Sequence, residues 1–106
     1  MLNDNDVIHM QAETMFGGIP TDMYEYGEYT LLLALSFVFY NFEHPYSVAL
    51  SLIRDYLSSK TPEQICETLS DFPDTHPDYE AAQYFVRSAK SQQKEFILGL
   101  LSRLEK

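Results

Sequence analysis

The sequence is poor in cysteine, poor in basic residues and free of any long uncharged run. One cysteine in 106 residues, Cys66, excludes an internal disulfide framework and suits a reducing compartment. Seven lysines and arginines stand against sixteen acids, for a formal charge of −9. That balance argues against binding nucleic acid through its phosphates. The longest uncharged stretch, Tyr29 to Phe42, has fourteen residues. It falls short of the roughly 20 needed to cross a bilayer, and reads as a buried core segment. The opening residues, Met1 to Asp6, are acidic where a secretory signal would be basic and then apolar. A cytoplasmic protein with no membrane partner is expected.

Catalytic motifs are missing too. Gly17-Gly18 precedes Ile19-Pro20, not the lysine-bearing helix start of a phosphate loop. His9 and Glu13 share a helix face, but a metal site needs a third ligand, and neither His44 nor His76 has a telling spacing. Cys66 has no basic neighbour to lower its pKa and reads as a small buried hydrophobe. No catalytic residue, cofactor or metal is expected, and no enzymatic activity.

What is present is a core. The chain is 45% hydrophobic and 14% aromatic, too apolar for a disordered tail. At this length about two thirds of the unfolded surface is buried on folding, enough for a core without staples. No repeat or low-complexity tract breaks the sequence, so residues 1–106 are expected to form one domain.

All five prolines fall between apolar-periodic runs, and the spacing predicts an all-α bundle of about five helices. The first spans about Asp4 to Phe16, with Asn3 as cap, and ends at Gly17-Gly18-Ile19-Pro20. The second begins at Thr21 or Asp22, where Asp22 and Glu25 have capping-box spacing, and runs to about Asn41. Phe37 to Tyr40 would suit a strand equally well, but the length of the run favours helix. The third has Pro45 as its first residue and a stripe of Ala49, Leu52, Ile53, Tyr56 and Leu57. The fourth opens on Thr61-Pro62-Glu63-Gln64, a capping box. The last starts near Pro77 and carries Ala82, Phe85, Val86, Ala89, Phe96, Ile97, Leu100, Leu101 and Leu104, with a bend or break expected near Ser91-Gln92-Gln93.

Charge is unevenly spread. Residues 1–30 and 61–80 each carry six acids and no lysine or arginine, whereas residues 81–106 hold five basic residues against two acids. Two acidic blocks create a potential that speeds encounter with a cationic partner. Solubility alone explains such a charge equally well. Aromatic interleaving favours binding: Asp22, Tyr24, Glu25, Tyr26, Glu28 and Tyr29 fall within about two helical turns, and Asp74, Asp78, Tyr79 and Glu80 repeat the theme. Tyrosine is a frequent interface anchor, and carboxylates around it can pair with arginine or lysine. These ten residues are the expected partner-binding site. Tyr40, Tyr46, Tyr56 and Tyr84 are assigned to the core or its edge. Arg87, Lys90 and Lys94 form a solvated face, or an internal counterweight to the acids.

The expected function is that of a non-catalytic acidic inhibitor covering a basic protein partner. A nuclease toxin comes first, because substrate phosphates require a positive cleft that an acidic domain can occupy. A bacterial immunity protein or antitoxin has this general character, as does a phage-encoded DNA mimic, although no residue motif specifies either. The alternative is a helical adaptor or regulatory subunit, monomeric or homodimeric, using an apolar face.

Overall fold

The apolar run with no polar side to offer solvent lies at the centre of the molecule. The computed structural model describes residues 4–40 and 45–105. Among them it places six helices and no strand: α1 (Asp4–Phe16), α2 (Met23–Phe39), α3 (Tyr46–Ser59), α4 (Pro62–Ser70), α5 (Tyr79–Arg87) and α6 (Lys90–Leu104). Helix is thus the outcome for the ambiguous Phe37-Val38-Phe39. The proposed Asn3 cap and the expectations for Asn41, Phe42, His44 and Lys106 lie outside the described residues.

Every residue from Tyr29 to Ser36 is buried, as an all-round apolar helix requires. Helices α1, α3, α5 and α6 all pack on α2, while α4 packs on α5 and α6. Each brings an apolar stripe: Ile8 and Ala12, then Ala49, Ile53 and Leu57, then Ile65 and Leu69, then Ala82 and Phe85, then Phe96, Ile97 and Leu100. Tyr46 is buried, and Tyr40, Tyr56 and Tyr84 sit at the core edge as expected. Tyr56 and Thr68 join their hydroxyls at 2.8 Å, tying α3 to α4.

Local signals set the helix ends. Gly17 and Gly18 take φ of +74° and +119°, which glycine alone adopts without strain. There the Gly18 N–H donates to Glu13 O and the Gly17 N–H to Thr14 O, closing α1 in a Schellman motif. Asp22 caps α2 by accepting from the Tyr24 N–H at 2.8 Å. Pro45 stands one place before the helix, as the α3 cap rather than its first residue. Thr61 and Gln64 form the reciprocal capping box at 2.9 and 3.2 Å.

The last predicted helix is two. Ser88 and Ala89 are extended, with ψ of 152° and 150°, so the break comes before the polar Ser91-Gln92-Gln93 rather than within it. Gln93 explains the shift. It is buried, and its amide donates to the carbonyls of Phe85 and Ser88 at 3.0 Å each. The Phe85 carbonyl also accepts from the Ser88 N–H at 3.1 Å, and Gln93 caps the break from inside the next helix. Ala89, expected in the core, is exposed.

Gly27 on α2 has no room for a side chain, since a Cβ there would overlap the Phe96 ring. Phe96 is buried and held against Tyr84 and Phe85, so it cannot easily yield. Gly27→Ala is therefore expected to lose about 1–2 kcal/mol net, overpacking exceeding the gain in helix propensity. Urea denaturation checks it; a stabilised variant would show that Phe96 has slack.

Candidate functional site

The acids at the start of α2 divide by what faces them. Arg103, in the last turn of α6, donates from Nε to Glu28 at 2.9 Å and from Nη2 to Glu25 at 3.3 Å. Its guanidinium also lies 4.2 Å from the centre of the Phe16 ring. Gly99, one turn back on α6, admits the Glu28 side chain where any Cβ would collide with it. Glu28 is therefore engaged within the fold, whereas Glu25, with half of its side chain exposed, shares Arg103 at the surface. Their counterweight is Arg103, not the Arg87-Lys90-Lys94 face, where Lys90 approaches Glu63 at 3.9 Å in the open. Tyr29 also leaves the expected surface: it is 6% exposed, set edge-on against Phe16 in the core.

Asp78 is the larger departure, because it is only 2% exposed. Its Oδ1 meets His9 Nε2 at 3.1 Å, and its backbone N–H donates to His76 Nδ1 at 3.0 Å. The His76 ring in turn sits 4.0 Å from Phe37 and 4.4 Å from Phe72. This loop is thereby docked on α1 and α2, and His9, once weighed as a ligand beside Glu13, serves that docking. Oδ2 of Asp78 is buried without a hydrogen-bond partner. Burial raises the Asp78 carboxyl above its usual range, while His9 and His76 pull it down. The Tyr29 phenol is raised by burial, with the Glu13 and Asp78 carboxylates adding to it. Burial also raises the Cys66 thiol, the opposite of what a nucleophile needs.

Of what stays outside, Met23, Tyr26 and Glu80 meet at one groove. Met23, Tyr24 and Tyr26 are 68%, 57% and 41% exposed, a dense apolar group at the entry of α2. Asp22 and Glu80 are exposed as well, as is Asp74, while Tyr79 is half-buried. The starts of α2 and α5 lie side by side: Met23 and Tyr26 share a groove with Glu80, Gln83, Tyr84 and Arg87. The Tyr26 and Tyr84 rings meet edge to face there, with centroids 5.1 Å apart. The two sequence blocks thus come together through Tyr26 and Glu80. Met23, Gln83, Tyr84 and Arg87 were not among the expected site residues. The spacing of Glu80, Gln83, Tyr84 and Arg87 at i, i+3, i+4 and i+7 was the signal that marked them as one face.

Comparisons with protein-family models, with curated proteins and with solved structures return no match. Among the described residues no helix is long and apolar enough to cross a membrane.

Arg103→Ala is expected to cost about 1–2 kcal/mol, because two charge-assisted contacts and one ring contact go together. The loss should shrink in high salt; a salt-independent loss would assign it to packing alone. Asp78 carries its own pH signature. With its folded pKa raised, the native state holds this proton more tightly than the unfolded chain. Its contribution is full below the ordinary carboxylate range and is lost as pH rises through the raised value. The stability of the wild type relative to Asp78→Asn should therefore fall with rising pH across weakly acidic conditions. Urea titrations at stepped pH measure this, and a flat difference would rule it out.

Proposed function

We propose that this protein is a non-catalytic binding module that covers a basic surface on another protein. The nuclease-inhibitor or immunity-type role is its most concrete form. The observation that carries the reading is the exposed Met23-Tyr24-Tyr26 group, flanked by the carboxylates of Asp22 and Glu80. An apolar, aromatic centre with a charged margin is the build of a protein interface, where truncating the central anchors is costly and rim charges govern encounter. The net charge of −9 supplies long-range attraction toward a cationic cleft. A nuclease offers such a cleft because it must hold phosphates. The contact set is narrower than the ten residues expected from sequence: Asp22, Tyr24, Tyr26 and Glu80 lead, with Asp74 and Tyr79 beside them. Glu28, Tyr29 and Asp78 serve the fold, and Glu25 stays at the surface beside Arg103.

The test is to express the product of the adjoining reading frame, since inhibitors of dedicated toxins are usually encoded beside them, and to measure its nuclease activity and its association with this protein. Inhibition is expected, with an on-rate that drops about tenfold or more between low and moderate salt. Tyr24→Ala should raise the off-rate by about tenfold, whereas Glu80→Lys should mainly slow association. Neither association nor inhibition at low salt would overturn the reading.

A further inference from the structure

The groove between the starts of α2 and α5 has features that a general acidic surface lacks. Tyr26 and Tyr84 stand at right angles on its wall, 89° apart. Tyr84 is also stacked on Phe96, so the open ring is Tyr26, which is 41% exposed and keeps at least one face clear of Tyr84. A clear tyrosine face with a carboxylate close by is the combination that attracts an organic cation, through the ring quadrupole and through charge-assisted hydrogen bonds. Glu80 supplies the carboxylate and lines the same groove one turn before Tyr84. Gln83 adds an amide oxygen able to accept from a bound N–H group.

We propose that this groove seats a single arginine side chain of the partner, stacked on the Tyr26 ring and hydrogen-bonded to Glu80. The inference rests on the binding-module reading and names the anchor that reading leaves open. Arginine fits better than lysine because its planar guanidinium can stack on a ring and bond a carboxylate in the same pose. Arg87 limits what else can enter. It lies two turns along α5 from Glu80, about 10 Å by helical rise, and lines the other end of the groove. A second cation placed there would meet like charge. The groove therefore selects an isolated arginine over a run of basic residues. The surrounding anionic field, by contrast, would favour the run.

The test uses the intact chain with tyrosine rings isotopically labelled for NMR. The probes are neutral glycine-serine peptides carrying one arginine, one lysine or one citrulline, at low salt. The arginine peptide should shift the Tyr26 and Tyr84 ring signals, the lysine peptide should bind more weakly, and the uncharged citrulline peptide should leave them in place. Glu80→Gln should weaken arginine binding by about tenfold, the loss expected for one charge-assisted contact. Arg87→Gln should tighten it by about threefold, as removal of a like charge predicts. Both positions are exposed, so the paired substitutions of opposite sign are expected to fold and to control for each other. Citrulline binding as well as arginine, or Arg87→Gln weakening the complex, would overturn the proposal. So would arginine-peptide shifts that arise away from these two rings. That last result would leave the binding-module reading standing, whereas loss of nuclease association in the earlier experiment would remove the reading itself.

Discussion

The structure depends on one constraint: α2 has no side it can show to water between Tyr29 and Ser36. A helix apolar all round must be enclosed, and four of the other helices exist in their present places because they enclose it. Enclosure leaves only the ends of α2 for polar groups. Asp22, Glu25 and Glu28 are therefore crowded into its first turns, beside Met23, Tyr24 and Tyr26, which the surrounding helices leave exposed.

That crowding has a consequence for charge. Three carboxylates close together repel one another, and the fold answers by bringing the last turn of α6 across them. Arg103 takes Glu25 and Glu28 and rests on Phe16, so one side chain joins α1, α2 and α6. Gly27 and Gly99 make the approach close enough, the first under Phe96 and the second under Glu28. Asp22 and Glu80 stay exposed, the first beside Tyr24 and the second in the groove with Tyr26. Electrostatic compensation and the binding face are thus two results of the same packing. Asp78 illustrates the other outcome: a carboxylate drawn inside, held by His9 and backed by the His76 ring between two phenylalanines.

Much of the helical framework was legible because its signals are local. Schellman glycines after α1, the Thr61–Gln64 box and the Pro-punctuated loops act within a few residues, and the observed ends of α1, α2 and α4 follow them. The α5–α6 break was displaced because Gln93 looks like a surface residue in sequence. Only the folded chain shows it turned inward to the carbonyls of Phe85 and Ser88. Of the candidate site, Tyr24, Tyr26 and Glu80 stayed on the surface, while Tyr29 and Asp78 did not. Tyr29 follows Asp22 and Tyr26 at i+7 and i+3 and so shares their side of a helix, but that spacing does not say where along its length the core begins.

The sequence by itself determined that the chain is helical, where most helices start and stop, and that α2 must be central, because each follows from short-range propensity or from burying apolar area. Only the tertiary structure decided which acids remain available. The partners of Glu28 and Glu25 lie 75 and 78 residues away, and that of Asp78 lies 69 away. Coulomb attraction acts on distance in space, and no pattern along a chain reports which charges folding will bring into contact.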